Sequence, residues 1–246
     1  MIRGTVALPV WKSKYIAWLC MESLCRMKPP KDEWELIIFE EHHKEALGVD
    51  FFDSYRDRLS DVGCVKRGFI IAGRKYSLSN KWVLMARDAS ETSEYFCLCA
   101  ADNYYDPNML RDAECNIKQA DWCITPHGYF YDFKTERVLR YDFQHIVGLQ
   151  MTAKTSMVRE FPLEDVNKGV DTWFARQMGM KGTVFTSNHW QGILCTQGLN
   201  NISFERGEFF ISPQPPFYAT RKRLQNIVPK DIYHRLKTLT RCLKLQ

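Results

Sequence analysis

The chain has 246 residues, of which 45% are hydrophobic and 13% aromatic, and it carries a formal net charge of +5. That length fits one large domain or a domain with an appendage, and no stretch nears the roughly eighteen uninterrupted apolar residues that a membrane span needs. The opening MIRGTVALPVWKSK is too short in its apolar part for a signal peptide, so the expectation is a soluble, cytoplasmic protein.

In chain order, Thr5 to Val10 is a short apolar run read as a first strand, and Lys12 to Met27 follows with Ile16, Leu19, Cys20 and Leu24 near helical period. Lys28-Pro29-Pro30 ends that helix. Trp34 to Phe39 reads as a second buried strand closed by Glu40-Glu41, Ala46 to Leu59 as a helix and Val65 to Ile71 as a weaker third strand. A helix over Ser79 to Ala89, started by Ser77 or Ser79, precedes a fourth strand, Tyr95 to Ala101, whose apolar and small residues suit the centre of a sheet. Such alternation predicts an α/β domain with a mostly parallel sheet and helices on both faces. Ligands of open α/β sheets bind outside the carboxyl ends of the strands. Here those ends are Pro9 to Trp11, Glu40-Glu41 and Asp102-Asn103, which are expected to meet in one crevice.

The second half is mixed. Gly128 to Tyr141 predicts a hairpin turning at Lys134-Thr135, and Gly148 to Arg159 and Lys168 to Met178 predict short helices. Phe185 to Cys195 and Phe204 to Phe210 read as strand or loop, Pro213 to Pro216 breaks the chain, and Ile232 to Leu245 is a basic helix. From Ala219 onward there are eight Lys or Arg and one acid, Asp231, which leaves a body with 26 basic and 28 acidic residues. The tail is suited to nucleic acid or an anionic surface, or is simply a solvated helix face. The nine cysteines lack C-x-x-C spacing and read as buried, reduced thiols. G-x-S-x-G and zinc-ligand spacing are absent from the sequence, which disfavours a hydrolase.

The segment TVALPVWKSKYIAWLCMESLCRMKPPKDEWELIIFEE resembles the opening of glycosyltransferase family 2, the inverting enzymes of the GT-A fold. SLSNKWVLMARDASETSEYFCLCAADNYYDP resembles the stretch leading to that family's metal motif. The likeness is clear over about residues 5 to 110 and weaker to about 200. The family's acidic pair is here Glu40-Glu41, and its D-x-D or G-S-D-D is reduced to Ala100-Ala101-Asp102-Asn103, with one carboxylate. The resemblance implies a GT-A-like domain over 1–218, with a nucleotide-sugar half over 1–115 and an acceptor half over 116–218, followed by the basic helical tail 219–246.

It also implies a metal-assisted transfer, with inversion, from a nucleotide sugar, a UDP-sugar first of all, to a hydroxyl acceptor that the resemblance does not identify; the basic tail makes modified DNA or another anionic polymer conceivable. Asp102 is the expected ligand of Mn²⁺ or Mg²⁺, and His189 in NHW a second one. A hard cation can be held by one carboxylate plus substrate phosphates; the other reading of Asp102 is a turn aspartate satisfied by backbone N–H groups, and its place at the strand's carboxyl end favours the ligand. One of Glu40 and Glu41 is expected to meet the uracil or ribose, with Pro9, Trp11 and Asn103 beside it, and Lys81 to contact the phosphates unless it is a surface lysine. Asp171 in GVDTWFARQ is the candidate general base, ahead of Glu164-Asp165, or else a helix cap. Two alternatives stand beside this reading. A nucleotidyltransferase usually has a Gly-rich loop after its first strand, where this chain has Pro9-Val10-Trp11-Lys12, and an inactive nucleotide-sugar-binding module is consistent with Ala100.

Overall fold

The computed structural model describes residues 1–124, 127–133, 135–142, 151–167, 169–179, 184–186, 194–197 and 217–244. The elements are β1 (Ile2–Val10), α1 (Ala17–Leu24), β2 (Glu33–Glu41), α2 (Gly48–Asp53), α3 (Arg56–Ser60), β3 (Cys64–Ala72), α4 (Leu78–Asp88), β4 (Tyr95–Leu98), β5 (Asn103–Tyr104) and α5 (Met109–Asn116). They continue with β6 (Trp122–Ile124), β7 (His127–Asp132), β8 (Val138–Asp142), β9 (Met151–Lys154), α6 (Thr155–Arg159), α7 (Val170–Gly179), β10 (Val184–Thr186), β11 (Leu194–Gln197) and β12 (Phe217–Ala219). A 3-10 turn (Leu224–Asn226) and α8 (Lys230–Lys244) follow.

Seven strands form the larger sheet in the order β10-β6-β9-β4-β1-β2-β3. β1 pairs in parallel with β2 and β4, β2 pairs in parallel with β3, and β9 runs antiparallel between β4 and β6. The architecture is therefore the α/β arrangement expected from the alternating pattern, with a central, mostly parallel sheet.

Side chains alternate across the pleat, and this splits the apolar runs between two cores. Val6, Leu8, Val10, Leu36, Ile38, Cys97 and Cys99 meet α1, α2, α3 and α5 on one face. Ala7, Ile37, Phe39, Phe96 and Leu98 meet α4, α6 and α7 on the other. The strands buried on both faces are the ones that read as unbroken apolar runs in the sequence. A second sheet, β12-β8-β7-β11-β5, packs Tyr104, Tyr129, Tyr131 and Phe133 with Trp18 and Leu19 of α1 and with Leu224, Val228, Ile232 and Leu236 of the tail. The basic helix thus buries one apolar stripe and exposes Lys230, Arg235 and Arg241.

Several expected elements differ. The helix predicted over Gly148 to Arg159 is β9 followed by the short α6, because Met151 to Lys154 fill the gap between β4 and β6 and pair with both. Tertiary pairing there overrides local preference. The first helix starts at Ala17 rather than Lys12, after a turn in which Lys12 takes φ 49. The helix over Ala46 to Leu59 divides into α2 and α3 at Ser54-Tyr55. The hairpin falls where expected, with β7 and β8 paired antiparallel. Phe204 to Phe210 and Pro213 to Pro216 lie outside the described residues.

Candidate functional site

Because β1, β2, β3 and β4 are parallel, their carboxyl ends share one edge of the sheet. Residues 11–16, 42–47, 73–77 and 99–102 leave from that edge. β2 is longer than expected and ends in Glu40 and Glu41, which the pleat sends to opposite faces.

Glu40 faces the α2 side. It is 6% exposed, and its two oxygens accept the backbone N–H groups of Leu47 at 2.8 Å and Gly48 at 2.9 Å. It fixes the loop after β2. Glu41 faces α4 and is 2% exposed. Its Oε1 accepts from the Tyr76 N–H at 2.9 Å and from Lys81 Nζ at 2.8 Å, while Oε2 is buried and has no hydrogen-bond partner among the described residues.

Lys81 lies in the first turns of α4, which is capped by the Ser77 hydroxyl, and is itself buried. Burial pushes its ammonium group below the usual lysine value; the Glu41 carboxylate opposes that shift and Lys75 adds to it. A buried carboxylate oxygen without a donor costs about 1–3 kcal/mol, so its place at the carboxyl end of a strand calls for a functional account.

Trp11, just past β1, completes this corner. The ammonium groups of Lys12, Lys75 and Lys81 sit 5.5, 5.6 and 5.6 Å from its ring centroid. His43 stands edge-on to it at 4.8 Å. Lys81 is paired with Glu41, so Lys12 and Lys75 are the cations on this indole that can attract an anion, and the left-handed backbone of Lys12 is held at a cost of about 1–2 kcal/mol. Lys12 and Lys75 were not legible as site residues from the sequence.

Pro9 is a half-buried residue of β1 paired in register with Phe39. Past β4 the chain turns tightly around Tyr105, which is 1% exposed; its hydroxyl accepts from the Ala100 N–H at 2.7 Å and from Asn103 Nδ2 at 3.3 Å. Asn103, 7% exposed, thereby spends its amide inside the turn. Asp102 is half-buried in the same turn, close enough to Cys20 to push that thiol up further than burial alone does.

Among the described residues no group of three or more His, Cys, Asp or Glu converges on a point. His189 lies outside the described residues. Asp102 is the carboxylate at the end of β4, and one carboxylate with substrate phosphates and water is a sufficient oxygen set for Mg²⁺ or Mn²⁺.

Asp171 is in the first turn of α7, after Gly169 at φ +60; its backbone is described and its side chain is not. The segment before it is anchored to the start of α4. Ser79 Oγ donates to the Glu164 carbonyl, Asn80 Nδ2 donates to Asp165 at 2.8 Å, and the Leu78 N–H donates to Asn167 Oδ1 at 3.3 Å. Glu164 also accepts from Trp173 Nε1 at 2.8 Å. Glu164 and Asp165 are thus occupied, and the start of α7 is tied to the helix that carries Lys81.

By sequence, the chain matches no known protein family and no curated protein. By structure it is similar to TarS 1-349 from S. aureus in complex with UDP-GlcNAc, with a TM-score of 0.64 and 14% identity over 97% of this chain and 65% of that one. It is similar to GalNAc-T7 with UDP, GalNAc and Mn²⁺, with a TM-score of 0.57 and 11% identity over 81% of this chain and 45% of that one. It is also similar to the mannosyltransferase PcManGT from Pyrobaculum calidifontis in complex with GDP-Man and Mn²⁺, with a TM-score of 0.55 and 11% identity over 79% and 56%. The chain has the fold of the GT-A-type glycosyltransferases. It spans 60 to 65% of TarS 1-349.

Proposed function

We propose that the protein is a glycosyltransferase whose donor, a UDP-sugar, binds in the crevice at the carboxyl ends of β1, β2 and β4. The observation that carries this reading is the corner built by Glu41, Lys81 and Trp11. A buried carboxylate oxygen with no donor among the described residues is available to the base or ribose of a nucleotide, and Lys12 and Lys75 beside the indole, with Lys81 held by Glu41 behind them, are available to a diphosphate. Structures of similar fold hold UDP, UDP-GlcNAc or GDP-Man. Glu41, rather than Glu40, is the nucleotide-facing carboxylate in this account. Lys81, Lys75 and Lys12 draw in the diphosphate, and Trp11 covers the base. Pro9 and Asn103 contribute through the shape of the strand end and turn. Residues 1–115 form the donor half and 116–218 the acceptor half.

Asp102 would hold Mn²⁺ or Mg²⁺, with His189 as the second candidate ligand; such an ion neutralises charge on the departing diphosphate. Asp171 takes the proton of the acceptor hydroxyl as that oxygen attacks the anomeric carbon from the face opposite the diphosphate, which gives inversion. The C–O bond to the acceptor forms as the bond to the diphosphate breaks, and the electron pair leaves with UDP.

The test is binding and turnover with a panel of nucleotide sugars, with and without Mn²⁺. Binding of a UDP-sugar with slow release of UDP supports the reading, and failure of every nucleotide sugar to bind contradicts it. Release of pyrophosphate from a nucleoside triphosphate would mark a nucleotidyltransferase instead. Donor binding without turnover across acceptors would mark an inactive binding module.

A further inference from the structure

A cavity of about 510 Å³ opens on the smaller sheet, between the β7–β8 turn, the segment Thr220 to Gln225 and α8, and shares no residue with the donor crevice. Its lining carries four cations, Arg137, Lys222, Arg223 and Lys237, against one acid, Glu136. Glu136 forms an ion pair with Lys237, which leaves a surplus of three positive charges. Lys222 rests on the Tyr129 ring at 5.2 Å. Among the described residues no carboxylate pairs with Arg137, Lys222 or Arg223.

The packing beneath the cavity comes from Tyr131, Leu224, Val228, Ile232 and Leu236, with the Tyr131 and Thr240 hydroxyls 3.0 Å apart. Three cations facing one concavity repel one another, and an anion relieves that repulsion. Arginine presents a planar fork of donors that fits phosphate oxygens in pairs, and Thr220 and Tyr233 add hydroxyls to the wall. The volume lies in the range of ligand sites and exceeds what one simple ion fills.

We propose that this cavity is a second anion site that binds the phosphate groups of a phosphate-bearing ligand, independently of the donor crevice. The phosphate comes either from a small free polyphosphate or from a phosphodiester strand. Two probes separate these sources: inorganic pyrophosphate, and a fluorescein-labelled oligothymidylate followed by anisotropy. The full chain is compared with an Arg137→Ala/Arg223→Ala variant and an Arg137→Lys/Arg223→Lys variant. UDP binding is measured by calorimetry in all three, and thermal melts check the fold.

The expected result is a loss of about tenfold or more in affinity for at least one probe in the alanine variant, a smaller loss in the lysine variant, which keeps the charge but not the fork, and unchanged UDP affinity in both. If the strand is the ligand, the slope of log K against log salt falls by about 1.4 when two phosphate contacts are removed. Pyrophosphate binding with no strand binding assigns the small ligand, and the reverse assigns the polymer. The proposal is overturned if wild type binds neither probe, if the alanine variant stays within about twofold for both, or if UDP binding falls in parallel. Because UDP is measured separately, failure here leaves the donor reading intact, and failure of UDP binding leaves this site intact.

Discussion

At the scale of single residues, the donor reading depends on Glu41. Glu41→Gln keeps the shape but removes the charge that holds Lys81 and presents Oε2. UDP affinity is expected to fall about tenfold, or about 1.4 kcal/mol, by calorimetry; unchanged affinity would remove Glu41 from the site. A second buried carboxylate, Glu35, serves stability. It accepts from the Thr5 hydroxyl at 2.8 Å, the Ser90 N–H at 2.7 Å and the Ser90 hydroxyl at 2.8 Å, and it pairs with Lys66 at 3.0 Å. Burial pushes its carboxyl up, but the Ser90 N–H, Lys66 and the two hydroxyls together overcome this and hold it below the usual 4.5. The unfolded chain therefore takes up this proton more readily than the folded one. The stabilisation is complete above the unfolded value and is lost as pH falls through the lower folded value. Urea melts between about pH 5 and pH 3 should show a smaller loss of stability in Glu35→Gln than in wild type. An equal slope would show that Glu35 is not the group being titrated.

At the scale of elements, β1 and β4 meet at one close contact. Gly4 pairs with Tyr95, and a Cβ on Gly4 would lie 2.1 Å from the Tyr95 ring. Tyr95 is 1% exposed and has no room to yield, so Gly4→Ala is expected to cost about 1–3 kcal/mol in a thermal or urea melt. A variant as stable as wild type would mean that the ring moves freely. The strands around this contact were legible in the sequence because burial on both faces writes itself as an unbroken apolar run. α4 was legible from its Ser77 cap, and α7 from its period. β9 was not, because Met151 to Lys154 become a strand only when β4 and β6 are there to pair with. The division of labour between Glu40 and Glu41 was also hidden. The sequence shows two adjacent acids, and only the pleat decides that one ties down a loop while the other faces Lys81. Thiol chemistry follows the same layering. Burial pushes Cys97 up to about 12 and raises Cys64 likewise, while Cys115 and Cys242 are exposed. Brief iodoacetamide treatment followed by peptide mass spectrometry should modify Cys115 and Cys242 and spare Cys20, Cys64, Cys97, Cys99 and Cys123. Rapid labelling of the buried set would contradict the packing.

At the scale of the whole molecule, the basic tail belongs to the fold as much as to the surface. Ile232 and Leu236 are 1% and 0% exposed against Trp18, Leu19 and the tyrosines of the smaller sheet. Ending the chain before Leu224 would uncover that core, and soluble yield and a cooperative melt should both be lost; a well-folded truncated chain would show that the tail only rests on the surface. The cores of the two sheets meet at α1, which contributes Ala17, Cys20, Met21 and Leu24 to one and Trp18 and Leu19 to the other. The central claim is that those ends bind a nucleotide diphosphate, and a crystal soaked with UDP and Mn²⁺ tests it most directly. The account predicts uracil or ribose within hydrogen-bond reach of Glu41 Oε2, the ring of Trp11 against the base, and the diphosphate between Lys81 and Asp102. UDP bound away from this edge, or a crevice left empty at saturating UDP, would contradict it.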